Sequence, residues 1–473
     1  MDRQKREIDL VLINPSSSLK VYSRSRIKAA IPVIPLYSIA LMAAEVRAAG
    51  WSVEILNLPI VDDPLAELVR FFEACRPRVV GITFTTPLYP EAAKIAALVR
   101  EKLCPESILI GGGVHPTSLP DETLAETVFD AVFIGEADET LPRFLGLERG
   151  AWSALPGLAY KSEGKVLHTE GRSTVSRLDN LPFPAWDLFD VPRYKSPRIT
   201  SRRNPVGSII TSRGCVHRCI YCNKNVLGHK FRAMSAERVV EELAYSLKSG
   251  FREIHIWDDQ FSTNLNRAKR VCELILQRDL HFTWNIFNGI RVNSLDEEFL
   301  RLAQRAGCYS ISFGIESGNQ SLLDTLRKDI SLDDCRRALR LVKKVGLEAV
   351  TYFMIGLPGE TEETMQQTID FACELNADYA KVAVLIPLPD TEVYYMLEQE
   401  GRIVSRDWSR YNFHLAEKIF NHQNLSQEQM TQAYYRFYRQ FYLRPSYIGR
   451  RFIKSLAQGR LLHDFYYMIK TFS

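Results

Sequence analysis

The 473-residue sequence has no uninterrupted apolar run of about eighteen residues, the length a membrane-spanning helix needs, so no span is predicted. Its first fifteen residues carry charges followed only by a short strand-like run, which predicts no secretory leader and a cytoplasmic location. Charge of one sign is also missing. Sixty basic against 56 acidic side chains leave a formal charge of +4, which predicts no polyanionic partner. With 46% hydrophobic and 25% charged residues, disorder, collagen-like repeats and a disulfide-rich scaffold are excluded. No G-x-G-x-x-G follows the first predicted strand, so an ordinary dinucleotide fingerprint is absent. The nine cysteines are an odd number, and Cys75, Cys104, Cys272, Cys308, Cys335 and Cys373 stand singly, as small buried hydrophobes do in a reducing compartment.

What is present is an alternation of short apolar runs and helical patterns. In residues 1–150 the spacing predicts strands over 8–13, 53–57, 79–83, 108–110 and 131–134, with helices over 37–49, 64–75 and 88–103. Short buried strands between helices imply a doubly wound parallel sheet, its ligand crevice outside the strands' carboxyl ends. Residues 151–205 read as a connector, because the stretch from Leu181 to Asp187 is too rich in proline for helix or central strand. A second αβ series fills 206–400, with strands over 209–212, 253–257, 282–287, 309–314, 348–355 and 379–386, and suggests a partial (β/α)6 barrel. Residues 401–473 read as helical.

Cys215, Cys219 and Cys222, spaced C-x3-C-x2-C directly after the first strand of the second series, are the sharpest signal in the chain. Three thiolates on one loop suit three irons of a four-iron cluster and leave the fourth iron open. A zinc site would need a fourth ligand, which His217 or His229 could supply, and three structural cysteines are the plainest alternative. The preceding strand and Tyr221 before the last cysteine favour iron–sulfur.

This cysteine set resembles the signature of the radical S-adenosylmethionine (SAM) enzymes, whose open iron chelates SAM and cleaves it to a 5′-deoxyadenosyl radical. By that resemblance Tyr221, with Asp258 and Asp259 after the second strand, Arg291 after the third, Glu316 and Ser317 after the fourth, and Gly356 and Glu360 after the fifth are expected to contact SAM. Each alone could merely cap a helix.

The first domain resembles the cobalamin-binding domain of the class B subgroup of this superfamily. The matching positions, expected to contact cobalamin, are Asn14 and Pro15, Thr83, Thr85 and Thr86, the run Gly111, Gly112 and Gly113 with His115, and Gly135 and Glu136. The D-x-H-x-x-G motif, whose histidine ligates cobalt in many cobalamin proteins, is absent, and His115 is the only histidine in the first 150 residues. Cobalamin is therefore expected base-off, without a protein histidine on cobalt. A retained fold that no longer binds it is the bland alternative.

From Thr431 to Ser473 eight Lys or Arg face one acid, Asp464, among twelve aromatic residues. Packing over the barrel is the plain expectation for these aromatics. Peripheral contact with anionic lipid, or with a lipid-like substrate, is the sharper one, and RNA is disfavoured. The family resemblance implies a C-methyltransferase that abstracts hydrogen from an unactivated carbon and adds the methyl of methylcobalamin, with a flavodoxin or ferredoxin as electron donor. An oxidative cyclase or ring-rearranging enzyme, similar to the anaerobic protoporphyrin ester cyclase, is the alternative within the superfamily. A cobalamin or SAM sensor without turnover is the alternative outside catalysis. Tyr379, Lys381 and Asp390, on or after the sixth strand, are candidates for acid–base groups near the substrate.

Overall fold

A computed structural model describes residues 5–16, 32–413, 417–457, 459–463 and 466. Two sheets organise the chain. The first contains β1 (Arg6–Asn14), β2 (Val53–Asn57), β3 (Cys75–Thr83), β4 (Ile108–Gly112), β5 (Ala131–Phe133), β6 (Leu158–Ser162) and β7 (Lys165–His168), in the order β2-β1-β3-β4-β5-β6-β7. Its first five strands are parallel. Neighbouring residues on one strand serve opposite cores: Leu10 and Leu12 join Ile39 and Leu41 of the helix Tyr37–Ala48, while Val11 and Ile13 join Leu68 and Phe72 on the other face. A sheet with both faces covered reads as a continuous apolar run, which is why these strands are visible in the sequence.

Two differences have simple causes. β3 begins four residues before the predicted start, because Arg76, Pro77 and Arg78 hide a strand end whose charged residues face solvent. The hairpin β6–β7, placed in the connector by the sequence reading, instead extends the first sheet antiparallel to β5. Glu163 and Gly164 at its tip both have positive φ, the conformation of a tight two-residue hairpin turn.

The second sheet contains β8 (Val206–Ile209), β11 (Glu253–Ile256), β12 (Thr283–Ile290), β13 (Cys308–Glu316), β14 (Glu348–Ile355) and β15 (Tyr379–Val384), all parallel in the order β15-β14-β13-β12-β11-β8. Between β8 and β11, β9 (Ser212–Arg213) and β10 (Arg232–Ala233) form a separate two-stranded ladder. The six-stranded sheet is curled. Lys381 Nζ on β15 lies 5.8 Å from the ring of Phe287 on β12, three strands away, whereas a flat sheet would separate those strands by about 14 Å. The sheet therefore encloses a lumen, faced by Tyr352 of β14 and Lys381 of β15.

The C-terminal helix Gln427–Tyr442 packs on β14, β15 and the helix Glu362–Leu375. β15 is an edge strand with backbone groups that need partners. The Tyr442 hydroxyl accepts from Ala380 N at 3.1 Å and donates to Ala380 O at 2.8 Å, and the Tyr438 hydroxyl brackets Val382 N and O at 3.4 and 3.3 Å. Four helical residues rise about 6 Å and two strand residues nearly 7 Å, so tyrosines four apart meet strand residues two apart. Three basic residues of the same region turn inward, Arg444 donating to Cys373 O, Arg450 to Asn376 O and Ala377 O, and Lys454 to Asp378, while Arg439 is exposed. Residues 458, 464, 465 and 467–473 of this basic tail lie outside the described residues. Five of the six single cysteines are buried and Cys373 half-buried. No helix among the described residues is long and apolar enough to cross a membrane.

Candidate active site

The three clustered cysteines lie on a loop whose base is closed by the β9–β10 ladder. The loop opens at Gly214, with φ +83, where a Cβ would strike the Lys230 carbonyl, so only glycine fits. Asp258 anchors the approach. Its fully buried carboxylate accepts from Thr211 N, Thr211 Oγ1 and Ser212 Oγ, so this residue holds the loop's root instead of facing outward. Arg267 joins it through Thr211 O at 2.9 Å. Asp259 opens into the site; crowding by protein, then the neighbouring Asp258 charge, push its carboxyl up to about 6.

Cys219 and Cys222, with Lys224, His229 and Asp390, line a cavity of about 630 Å3. Among the described residues no three His, Cys, Asp or Glu side chains are grouped to hold a single metal ion. In an iron–sulfur cluster each thiolate binds its own iron.

The ends of the later strands converge on this loop. Tyr221 Oη donates to Glu316 Oε1 at 3.1 Å, and Lys328 Nζ donates to the same oxygen at 2.8 Å and to Tyr221 Oη at 3.0 Å. Glu316 has φ +74, unusual for a residue with a Cβ, and this triangle holds it. Arg291 gives its Nη2 to the carbonyls of Lys328 and Asp329, while Nε and Nη1 are buried without a partner. Two donors left over on a buried guanidinium fit an anionic group. Trp257 Nε1 is likewise buried and unpartnered.

Two sequence candidates have work inside the fold. Ser317 is fully buried, its hydroxyl against Thr368 Oγ1 at 3.2 Å and Asn319 N at 3.1 Å. Glu360 closes the turn after β14 by accepting from Gly356 N and Leu357 N, and burial pushes its carboxyl up to about 7. Asp390 accepts from Asn225 at 2.7 Å and thereby braces the cysteine loop. Tyr379 accepts from Arg451.

At the strand ends of the first sheet, Asn14 Nδ2 donates to Asn57 at 2.7 Å, Pro15 and Thr86 are buried, Thr83 is half-buried and Thr85 is exposed. The three glycines divide. A Cβ on Gly111 would meet Val132 at 3.1 Å and one on Gly113, with φ +105, the Phe84 carbonyl at 2.7 Å, whereas Gly112 faces open space. His115 is wholly buried among Phe84, Tyr89 and Trp408, with both ring nitrogens unpartnered, and burial holds it neutral, down to about 3. Gly135 donates to Thr117 Oγ1 at 3.0 Å.

Glu136 is committed elsewhere. Arg213 Nη1 donates to Glu136 Oε2 at 2.7 Å and Arg213 Nη2 to Asp138 Oδ1 at 2.8 Å, and Arg232 pairs with Glu136 as well. All four side chains are buried. The two arginines belong to β9 and β10, so the base of the cysteine loop is clamped to the segment after β5. Asn223 Nδ2 donates to Ser118 Oγ at 2.7 Å, and the Val226 carbonyl lies 3.5 Å from a Cβ position on Gly135. The cysteine loop thus abuts the carboxyl ends of the first sheet. Lys328 carries no motif, and the pairing of Arg213 with Asp138, which lie within two of the motif segments, is not visible in the sequence.

The radical SAM superfamily profile matches residues 209–372, and that of the B12 binding domain matches residues 32–145. The sequence is 31% identical over 419 residues to the uncharacterized methyltransferase PH0819 of Pyrococcus horikoshii, covering 87% of this chain and 88% of that one. It is 25% identical over 437 residues to the anaerobic magnesium-protoporphyrin IX monomethyl ester cyclase of Rubrivivax gelatinosus, covering 90% and 76%. Among solved structures, the radical SAM methyltransferase TsrM of Kitasatospora setae, with cobalamin and a [4Fe-4S] cluster bound, superposes with a TM-score of 0.69 at 21% identity. That match covers 85% of this chain and 76% of TsrM, and is a likeness of fold.

Proposed function

Because this chain belongs to the cobalamin-binding radical SAM enzymes and is a methyltransferase of that group, we propose that it methylates an unactivated carbon of a small molecule. The observation that carries this reading is the contact between the cysteine loop and the strand ends of the first sheet, through Asn223 with Ser118 and Val226 beside Gly135. Two cofactor mouths that abut are what a transfer between them requires. When bound, SAM on the cluster supplies a 5′-deoxyadenosyl radical, and cobalamin supplies the methyl group.

The residues suit these groups. Cys215, Cys219 and Cys222 would hold the cluster, and Arg291, through its unpartnered donors, the carboxylate of SAM. Asp259 and Trp257, whose Nε1 has no partner, would orient the rest of SAM. Gly112, with open space at its Cα, and the accessible Asn14 and Thr85 would border cobalamin. Base-off binding is part of this reading, since His115 is walled in by Phe84, Tyr89 and Trp408. A low-potential flavodoxin or ferredoxin would deliver electrons. Arg444, Arg450 and Lys454 turn inward, while Ile448, Phe452, Ile453 and Leu456 of the last helix are exposed, and peripheral contact with lipid stays part of the reading.

Cyclisation is the weaker reading, since the cyclase relative is the more distant of the two. A sensor has no use for an open iron. The test is anaerobic turnover with SAM carrying a deuterated methyl group, together with the absorption spectrum of bound cobalamin. Deuterated methyl reaching cobalamin in a base-off spectrum, unchanged in His115→Ala, is expected; a protein that binds SAM and transfers nothing would refute the reading.

A further inference from the structure

β14 and β15 alternate between buried residues packed on helices and half-buried residues facing the lumen, the latter being Val350, Tyr352 and Met354, and Tyr379, Lys381 and Ala383. Lys381 pairs in register with Tyr352, and Tyr352 with Gly314 on its other side. The ammonium of Lys381 lies 5.8 Å from the rings of both Phe287 and Tyr352. Among the described residues it has no ion pair and no hydrogen bond.

Most other cations around the site are engaged. Lys328 has Glu316, Arg213 and Arg232 have Glu136, Arg327 has Glu392, and Lys224 has the His217 carbonyl, while Arg291 keeps two donors for SAM and Arg218 stands exposed at the cavity mouth. The carboxylates deeper in the sheet are engaged too. Glu253 is bonded to His255 and Tyr309 and to the Arg202 and Arg203 backbone, and Glu348 is paired with Arg202 and Lys454. Among the described residues nothing neutralises Lys381, and desolvation pushes its ammonium below the ordinary range. Ring faces near the roughly 6 Å limit of the cation–π interaction hold this half-buried ammonium only weakly, so it stays open to a ligand. On the same layer the space beside Gly314 is taken by Glu316 Oε1 and Lys328 Nζ, 2.6 and 3.1 Å from where a Cβ would stand, a pair that is already mutually neutralised. The position is three residues before the end of β15, about 10 Å below the strand ends.

We propose that Lys381 is the anion-binding group of a substrate subsite in this lumen, so that the molecule acted on carries a carboxylate or a phosphonate. The word substrate rests on the methyltransferase reading; the anion subsite does not. The anion would lie between Lys381 and Tyr352, with the rest of the molecule directed up to the cysteine loop.

The experiment titrates methylphosphonate and acetate, each against its neutral counterpart, dimethyl methylphosphonate and acetamide, into reconstituted holoenzyme. SAM is present throughout to occupy Arg291, and binding is followed by calorimetry. Saturable binding of at least one anion is expected, with the two anion arms deciding between phosphonate and carboxylate. Lys381→Met and Lys381→Gln should each weaken it at least tenfold, Lys381→Arg less than threefold, and the neutral compounds should not bind. Two neutral variants guard against one that misfolds, and iron content and thermal midpoint verify each. Absence of anion binding in the wild type, equal binding by a folded neutral variant, or preference for the neutral compounds would overturn the proposal. S-adenosylhomocysteine and 5′-deoxyadenosine are measured on the same preparation. Lysine-dependent anion binding without those products would leave the subsite standing and sink the methyl-transfer reading.

Discussion

Glu316 leaves β13 in a left-handed conformation, and its carboxylate has one cation, Lys328, within a buried triangle that also holds Tyr221. Removing Lys328 leaves that charge unpaired away from water. Lys328→Met is expected to cost about 3–5 kcal/mol of stability. It should also lower iron bound per chain, because Tyr221 precedes Cys222; urea unfolding and iron analysis of the reconstituted protein measure both. Glu360 gives a prediction in pH. Its carboxyl is raised from 4.5 to about 7, so the folded chain keeps a proton that the unfolded chain releases. Its contribution is therefore greatest below about pH 4.5 and declines as pH rises to 7, by roughly 3 kcal/mol. Glu360→Gln keeps an acceptor for Gly356 N and Leu357 N and should remove that part of the slope, leaving the variant the more stable at pH 8. Neither role was legible in the sequence. The residue types at strand ends were, but whether a carboxylate faces a ligand or its own backbone depends on a turn's geometry, as Asp258, Ser317 and Glu136 illustrate.

Helix Gln427–Tyr442 packs on the barrel, the plain expectation for its aromatics, but its detailed role does not follow from composition: Tyr438 and Tyr442 complete the edge of β15, and Arg444 caps the end of helix Glu362–Leu375. Tyr442→Phe strands an N–H and a carbonyl of Ala380 and should cost about 1–3 kcal/mol; Tyr438→Phe, whose bonds are longer, should cost less. Thermal unfolding of the two variants checks the order. The strands themselves were largely visible, since parallel strands covered on both faces are apolar without interruption. β14 was anticipated to the residue. Hairpin β6–β7 was not, because its outer strand is exposed and its sequence reads as loop; Glu163-Gly164 between alternating residues was the available signal.

At the level of the molecule, the cluster of Arg213, Arg232, Glu136 and Asp138 ties the cysteine loop to the first sheet. Arg213→Met would strand the buried Asp138 and is expected to cost about 3–5 kcal/mol. It should reduce methyl donation more than SAM cleavage, since the distance between the two cofactor mouths would no longer be held; single-turnover product ratios decide. No spacing rule foretells this clamp, because its partners lie 75 to 96 positions apart.

The central claim is that one chain both abstracts hydrogen through SAM on its cluster and donates a methyl through cobalamin. The most direct measurement is made anaerobically on protein reconstituted with iron, sulfide and hydroxocobalamin, reduced and given SAM, with 5′-deoxyadenosine and S-adenosylhomocysteine quantified together. Both products are expected from the wild type, with 5′-deoxyadenosine abolished in Cys215→Ala, Cys219→Ala and Cys222→Ala. Production of 5′-deoxyadenosine without S-adenosylhomocysteine, from protein with its cluster and cobalamin intact, would contradict the account.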